Sequence, residues 1–293
     1  MTLPPSGSGP RNDAEPRRPL AIVTIASGEP AAPRQHIATE EEAADARRLA
    51  GMRVAWRRKP WVTWGLLAVI AAMFVIEEWL GGSEDNIVLT RLGGQIPGEI
   101  WFGAWWRLVS SAFLHAGVLH VGLNSYVLWI VGSTQERILG SARFLAAYTF
   151  SLICASLASL FLSDADLTVG ASGAVFGLFG VEAIVVFLRH DLLPSQVRKS
   201  HSRNVLINLA LNIANSFQPN IATIAHFGGG LGGALIGAFL VPHRFETEAR
   251  SSPAWNVVAV ACALLLVAGV AAGLWNAAHS TGEVSVLQVH VGP

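Results

Sequence analysis

Apolar residues along the chain are gathered into long blocks separated by short polar segments. A run of about 20 apolar residues is long enough to cross the hydrocarbon core of a bilayer as a helix. Seven segments reach or approach this length, and the fifth of them is short and polar. The pattern predicts an all-α membrane protein with a bundle of six helices and a seventh helix appended at the C-terminus. The predicted spans are Trp61 to Leu80, Leu114 to Gly132, Phe144 to Leu162, Ser172 to Leu188, Asn204 to Phe217, Ile221 to Val241 and Trp255 to Trp275.

Composition agrees with a membrane protein. Hydrophobic residues make up 52% of the chain and charged residues 14%, and Gly occurs at 29 positions. Frequent Gly is typical of helices that pack closely in lipid. The formal net charge is +0, so nothing indicates a nucleic-acid partner. Cys154 and Cys262 lie in apolar runs and are predicted to be small buried hydrophobic residues rather than a disulfide or a metal site.

The first 55 residues differ from the rest, because they are rich in Pro, Ala, Arg, Glu and Ser and lack apolar periodicity. We expect them to be disordered, or helical only near Glu40 to Arg48. They contain no signal-peptide pattern, so the first span is expected to act as the targeting signal. The predicted organisation is then residues 1–55 as an N-terminal region, 56–242 as the main bundle, 243–275 as a linker with the additional helix, and 276–293 as a tail.

The positions of Lys and Arg predict the orientation of the chain. Ten lie at or before Lys59, and eight more fall on the same side of the membrane if seven spans alternate. The two that fall opposite are Arg91 and Arg107. Because basic residues favour the cytoplasmic side, we expect a cytoplasmic N-terminus and an external C-terminus in a multi-pass protein of a bacterial inner membrane. The helices that begin near Ser172 and His226 then both start on the outer side.

Ser172 and His226 are the most informative residues. Ser172 lies in Gly170-Ala171-Ser172-Gly173, where a polar loop gives way to an apolar run, and His226 opens another apolar run. Polar and ionisable groups at membrane depth are costly and are candidates for function. A lone Ser in a membrane helix more often bonds to its own backbone. A Ser together with a His supplies a nucleophile and a base, which indicates peptide-bond hydrolysis within the bilayer.

Two side chains of the second span suit the same chemistry. His120 and Asn124 are four residues apart and share one helical face. Both can donate hydrogen bonds to an oxyanion, and the N–H of Ser172 at a helix start can add a third donor. His115 either orders this site or hydrogen-bonds the first external loop, and the structural role is favoured.

These motifs, in this order along the helices, make the chain resemble the rhomboid family of intramembrane serine proteases over residues 60–242. The resemblance implies Ser172 as nucleophile, His226 as general base, and His120, Asn124 and the Ser172 N–H as oxyanion stabilisers. The additional helix resembles that of the six-plus-one members. The residues that carry the resemblance are Trp106, Arg107, His115, His120, Asn124, Glu136, Arg137, Gly140, Gly170, Ala171, Ser172, Gly173, Ala225, His226, Gly229, Gly230 and Gly233.

Packing around the two reactive residues is also predicted. Phe176 lies one turn after Ser172, where its ring can stack on His226. Members of that family often have Tyr at this position. This chain has Phe, so the phenolic hydroxyl is absent. Glycines at every fourth residue of the sixth span and a matching pair in the fourth span permit close backbone approach. Taken by themselves, these glycines could equally serve helix packing without any catalytic role. They are Gly173, Gly177, Gly229, Gly233 and Gly237.

Other polar and aromatic features have structural interpretations. Glu182, deep in the fourth span, requires a partner that the sequence does not identify. An asparagine stripe on the fifth span favours interhelical hydrogen bonding over lining an entrance. The loop Gly81 to Ser111 is predicted to lie in the interface as a short helical hairpin, which Trp106 and Arg107 stabilise. The stripe consists of Asn204, Asn208, Asn212 and Asn215.

Other functions fit the sequence less well. No His-Glu-x-x-His string is present, and Asp164 and Asp166 lie in an external loop, so zinc and aspartyl chemistries are not indicated. No cofactor or metal is implied. A catalytically inactive rhomboid-like protein that binds membrane clients is the main alternative, and a transporter is a weaker one. For a protease, the expected substrates are single-span membrane proteins that unwind locally, because an intact helix covers its peptide bonds.

Overall fold

The described part of the chain folds into helices joined by loops. The computed structural model describes residues 39–188, 193–216, 222–240 and 253–280, and no extended strand occurs among them. The all-α class predicted from the sequence is therefore confirmed. The helices are α1 Glu40–Trp56, α2 Trp61–Leu80, α3 Asn86–Leu92, α4 Pro97–Trp101, α5 Arg107–Ser110, a 3₁₀ turn Ser111–Phe113, α6 Val118–Val127, a π turn Leu128–Gly132, α7 Ser133–Leu139, α8 Ser141–Leu162, α9 Ser172–Leu188, α10 Ser195–Ser216, α11 Thr223–Leu240 and α12 Pro253–His279.

Four of the described helices, α2, α8, α11 and α12, are each long and apolar enough to cross a membrane. A fifth span results if the segments Arg107–Phe113 and Val118–Leu139, which meet at 95°, are counted as one. Helix α9 is apolar but has 17 residues, and α10 is polar over its first turns. The structure therefore supports a membrane bundle, while the count of seven spans stays a prediction.

The second predicted span begins later than expected. The sequence predicts a helix from Leu114, but α6 starts at Val118. Gly117 has a φ of 91°, which is not a helical conformation, so the helix cannot extend back through it. The helix then continues through the π turn into α7 and ends at Leu139, beyond the predicted Gly132. Gly140, with a φ of 83°, separates α7 from α8.

Other boundaries also move outward from the apolar runs. Helix α8 begins at Ser141, α10 at Ser195 and α12 at Pro253, and α12 continues to His279. Hydropathy marks the part of a helix that lies in lipid, whereas the backbone hydrogen bonds continue into polar residues at each end. The linker residues 241–252 and the tail after residue 280 lie outside the described residues.

The N-terminal helix α1 is longer than predicted, because it spans Glu40–Trp56 rather than ending near Arg48. Thr39 and Glu42 form a capping box at its start. Asp45 of α1 accepts a hydrogen bond from the backbone N–H of Ser195 at 3.2 Å. The Ser195 hydroxyl, and then Arg48, hold the pKa of Asp45 below its usual value. These contacts join α1 to the first turn of α10.

Glu136 fixes the start of α2 against α7 and α8. Its carboxylate accepts hydrogen bonds from the N–H groups of Val62 at 3.0 Å and Thr63 at 2.8 Å. It also accepts from the hydroxyls of Thr63 at 2.8 Å and Ser141 at 2.6 Å. The first N–H groups of a helix have no partner within the helix, so a carboxylate here both satisfies them and suits the helix dipole.

The asparagine stripe of α10 bonds differently from the prediction. The Asn208 amide donates to the Asn204 carbonyl and the Asn212 amide to the Asn208 carbonyl, each at 2.8 Å. Asn204 and Asn208 are exposed. The interhelical role predicted for Asn208 is therefore wrong, because its amide satisfies a carbonyl one turn earlier in its own helix. The Asn215 side chain lies outside the described residues.

Candidate active site

Ser172 and His226 are brought together by α9 and α11. Ser172 is the first residue of α9, and His226 lies in the first turn of α11. The Ser172 Oγ and His226 Nε2 atoms are 2.7 Å apart, within hydrogen-bond distance. His226 is 4% exposed. A hydroxyl and an imidazole at this distance have the geometry of a nucleophile and its general base.

The ring of Phe176 supports His226. The two ring centroids are 4.2 Å apart with an interplanar angle of 10°. Phe176 lies one turn after Ser172, so the helix that carries the hydroxyl also carries the surface on which the imidazole rests. Stacked rings restrict rotation of the imidazole, and this keeps Nε2 directed at the hydroxyl.

Glycine allows α11 to approach α9 closely enough for this contact. A Cβ atom at Gly229 would overlap the carbonyl oxygen of Gly173, and one at Gly233 would overlap the carbonyl oxygen of Gly177. At Gly237 a Cβ atom would lie 3.0 Å from the Cα atom of Val181. The close approach predicted from the glycine repeat is confirmed. The two backbones lie closer together than side chains at these positions would permit.

His120 lies beside the loop that precedes Ser172. Gly170 has a φ of 122°, and a Cβ atom there would be 2.8 Å from His120 Nε2 and 3.8 Å from Ser172 Oγ. The N–H of Ala116 donates to His120 Nδ1 at 3.2 Å. In the neutral ring the other nitrogen, Nε2, then carries the proton. His120 thus directs an N–H donor toward the space next to Ser172.

Asn124 and His115 make contacts that order the site. The Asn124 amide donates to the carbonyl of His120 at 3.0 Å. His115 Nε2 lies 3.5 Å from the N–H of Ala171, and the rings of His115 and His120 meet edge to face at 5.1 Å. His115 is thus placed to hold the residue before Ser172.

The loop Gly81 to Ser111 forms three short helices, α3, α4 and α5, where a helical hairpin was predicted, and its place in the membrane interface stays a prediction. Arg107 is 4% exposed, and its guanidinium donates to the carbonyls of Thr90 and Gly94, both at 2.8 Å. Its Cζ atom lies 4.9 Å from the ring centroid of Trp106. Trp106 packs against Gly93, where a Cβ atom would overlap the indole. Both side chains therefore contact other parts of the loop, and the role predicted for them in its placement at the interface stays a prediction.

A cavity of about 20 Å³ lies next to Ser172. This is about the space that one water molecule occupies. Its lining includes Ser172, Gly173, Thr168 and Ala225. The cavity therefore has room for one water molecule beside the Ser172 side chain. Among the described residues, no group of three or more His, Cys, Asp or Glu side chains could hold a metal ion.

Sequence reasoning did not identify the partners of two buried carboxylates. Glu182 accepts from the Gln135 amide at 2.6 Å and lies 2.9 Å from His201 Nε2. Glu77 is 0% exposed and accepts from the N–H of His115 at 3.3 Å. An acidic residue within an apolar run indicates that a polar partner is present. The partners themselves are distant in sequence, so no local pattern identifies them.

Parts of this sequence are similar to a known protein family and to individual proteins. Residues 103–243 match the Rhomboid domain family. The chain is 35% identical over 182 residues to rhomboid protease GluP of Bacillus subtilis, an alignment that covers 62% of this chain and 35% of GluP. It is 38% identical over 146 residues to putative rhomboid protease YdcA of the same organism, covering 49% of this chain and 71% of YdcA.

A third relative comes from another bacterium. Rhomboid protease AarA of Providencia stuartii is 31% identical over 203 residues, covering 61% of this chain and 72% of AarA. The chain therefore spans about a third of the length of GluP and more than two thirds of the lengths of YdcA and AarA. From the domain match and these relatives, together with an apolar helical bundle, we conclude that the chain belongs to the rhomboid family of membrane proteases.

Proposed function

We propose that this protein is an intramembrane serine endopeptidase that cleaves single-span membrane proteins within or next to their transmembrane segments. The observation that carries the proposal is the 2.7 Å separation of Ser172 Oγ and His226 Nε2. An isolated serine hydroxyl is a weak nucleophile, and an adjacent base activates it. The stacked Phe176 ring takes the orienting role that a third acidic residue has in a triad.

The reaction follows from these positions. Ser172 Oγ attacks the scissile carbonyl carbon while His226 Nε2 takes the hydroxyl proton, and the carbonyl oxygen becomes an oxyanion. His226 then gives its proton to the departing amine, which leaves an ester on Ser172. A water, deprotonated by His226, attacks this ester and releases the new carboxylate, so that Ser172 regains its proton. No cofactor enters these steps.

Stabilisation of the oxyanion is assigned to three groups. His120 presents its Nε2 toward Gly170 and Ser172, and the N–H of Ser172 lies at the start of α9, where the helix dipole favours negative charge. Asn124, one turn beyond His120, is assigned as the third donor. Preorganised donors of this kind are each worth about 10² to 10³ in rate.

The orientation proposed for the chain follows from the basic residues. Residues 56–242 form the catalytic domain, α12 is an additional helix, and the N-terminus is cytoplasmic in a bacterial inner membrane. Ser172 and His226 then lie toward the external side, where a substrate helix that unwinds locally can expose its peptide bond. The inactive, client-binding alternative is not favoured, because this chain keeps both reactive residues at hydrogen-bond distance.

Covalent labelling tests the proposal. The purified protein in detergent is treated with a fluorophosphonate, and cleavage of a single-span model substrate is followed in parallel. We expect wild type to be labelled and active, and Ser172→Ala and His226→Ala to lose both properties. Ser200→Ala, which removes an exposed hydroxyl from α10, is the matched control and should behave as wild type. Cleavage by Ser172→Ala protein would refute the assignment.

A further inference from the structure

The seventh predicted span, α12, contacts loop helices α3 and α5, which are linked by hydrogen bonds to the segment before Ser172. Gly273 packs on the backbone of α3, since a Cβ atom there would overlap the carbonyl oxygen of Leu92. Gly269 packs on α5, since a Cβ atom there would be 2.5 Å from Val109 Cγ1. One turn further along, the Asn276 amide donates to the carbonyl of Arg91 at 2.9 Å. Three successive turns of one face of α12 therefore contact the loop.

The contacted loop residues are joined directly to the segment that precedes Ser172. Ser111 follows the α5 residues that Gly269 touches, and its carbonyl accepts a hydrogen bond from the N–H of Gly170 at 2.9 Å. Gly170 is two residues before the nucleophile. A displacement of α5 is therefore transmitted to Ser172 through one hydrogen bond and two peptide units.

A second connection runs from the end of α3. Gln95 forms an antiparallel bridge with Thr168, in which each N–H donates to the other carbonyl at 3.0 Å. The Gln95 amide also donates to the carbonyl of Ser156 in α8 at 2.8 Å. Both connections end at residues 168–170. They hold the short segment before Ser172 against the loop.

Side-chain hydrogen bonds join the parts of the loop to each other. The Ser110 hydroxyl donates to the Gly93 carbonyl at 2.7 Å. Arg107 joins the end of α3 to the start of α5 through two carbonyls, each at 2.8 Å. The two parts of the loop that α12 touches are thus fastened to each other. A contact of α12 with either part therefore acts on the loop as a whole.

From this chain of contacts we infer that α12 is a positioning element of the active site: Gly269, Gly273 and Asn276 seat the loop helices, which in turn hold Gly170 and so the Ser172 nucleophile. These three are positioning residues, because they act through the loop and do not touch the reacting atoms. The inference rests on the proposed function, since it assigns α12 a role in the reaction of Ser172. It extends the catalytic unit beyond the six-helix bundle.

Kinetics of variants in α12 test the inference. Gly273→Leu places a bulky side chain against Leu92, and Asn276→Leu removes the tie to Arg91 while adding little volume. Misplacement of a reacting group by about 1 Å can lower the rate by about 10²-fold. We expect kcat to fall about tenfold or more for Gly273→Leu and severalfold for Asn276→Leu, with KM changed less than about twofold. The fluorophosphonate labelling rate of Ser172 should fall in proportion to kcat.

The matched control is Ala268→Leu, because Ala268 lies in the same helix and is exposed. Its kcat, KM and labelling rate should equal those of wild type. Hydrogen exchange gives a measurement that does not depend on activity: the Gly170 amide should exchange faster in Asn276→Leu than in Ala268→Leu.

The outcomes separate the two proposals. A wild type that neither cleaves nor is labelled contradicts the proposed function, and exchange at Gly170 still decides whether α12 holds the loop. If wild type is active and both Gly273→Leu and Asn276→Leu match Ala268→Leu in kcat and in exchange, the positioning role of α12 is wrong and the proposed function stands. A variant that loses kcat and substrate affinity equally also contradicts the inference, because positioning of the nucleophile affects the chemical step.

Discussion

Glu182 of α9 and His201 of α10 lie 2.9 Å apart, between the Glu182 Oε2 and His201 Nε2 atoms. The other carboxylate oxygen of Glu182 accepts from the Gln135 amide at 2.6 Å. Glu182 thus has polar partners from two other helices. The contact joins α10, which is largely exposed, to the buried face of α9.

We predict that this contact stabilises α10 on the bundle. His201→Ala should lower the free energy of unfolding by about 1 to 3 kcal/mol, because it leaves a buried acceptor without one of its partners. Unfolding in detergent, followed for His201→Ala, Glu182→Ala and the double variant, measures the coupling. Ser200→Ala, on the adjacent exposed position, is the control. Additive single effects would show that the two side chains do not interact.

The stacked ring of Phe176 yields a second prediction. Phe176→Leu removes an aromatic contact worth about 0.5 to 1.5 kcal/mol, so His226 becomes less restricted and kcat should fall about two- to tenfold. Phe176→Tyr keeps the stacked ring and should retain most of the activity. Phe187→Leu, at an exposed position of the same helix, serves as control in the same cleavage assay. Equal activity of Phe176→Leu and Phe187→Leu would contradict the orienting role.

Gly233→Leu tests the close approach of α11 to α9. Even a Cβ atom at Gly233 overlaps the carbonyl oxygen of Gly177, so a leucine must separate the helices and move His226 away from Ser172. Cleavage should be reduced by about 10²-fold or more. Ala268→Leu on the exposed face of α12 adds the same side chain and should be nearly silent. Cleavage rates and thermal stability of both purified variants test the prediction. A fully active Gly233→Leu enzyme would contradict the need for close approach of α11 to α9.

His120 and Asn124 give the fourth prediction. His120→Ala removes an N–H donor beside Gly170, so kcat should fall by about 10²-fold with little change in KM. Asn124→Ala should act on the same step, and the loss is smaller if the other donors compensate. Single-turnover kinetics separates the chemical step from binding. Weaker substrate binding at unchanged turnover would show that these residues contact substrate rather than an oxyanion.

The proximity of Ser172 and His226 was predictable because the signals for it are local. Ser172 and His226 each stand at the start of an apolar run, and glycines spaced four apart follow both. A regular helix converts such spacing into one face, so the glycine faces of α9 and α11 and the place of Phe176 one turn after Ser172 follow from helical geometry. The bounds of α2 and α9 coincide with their apolar runs for the same reason.

By itself, then, the sequence determined the helical membrane class, the family, and which residues are brought together by helix periodicity. The tertiary structure alone decided the rest. The start of α6 depends on the backbone of Gly117, and the partners of Glu182 come from positions 47 residues before it and 19 after it. The contacts of Gly273 with Leu92 and of Gly269 with Val109 join residues that are 181 and 160 positions apart along the chain. Hydropathy and spacing describe neighbours along a helix, whereas these contacts depend on how separate helices pack against one another.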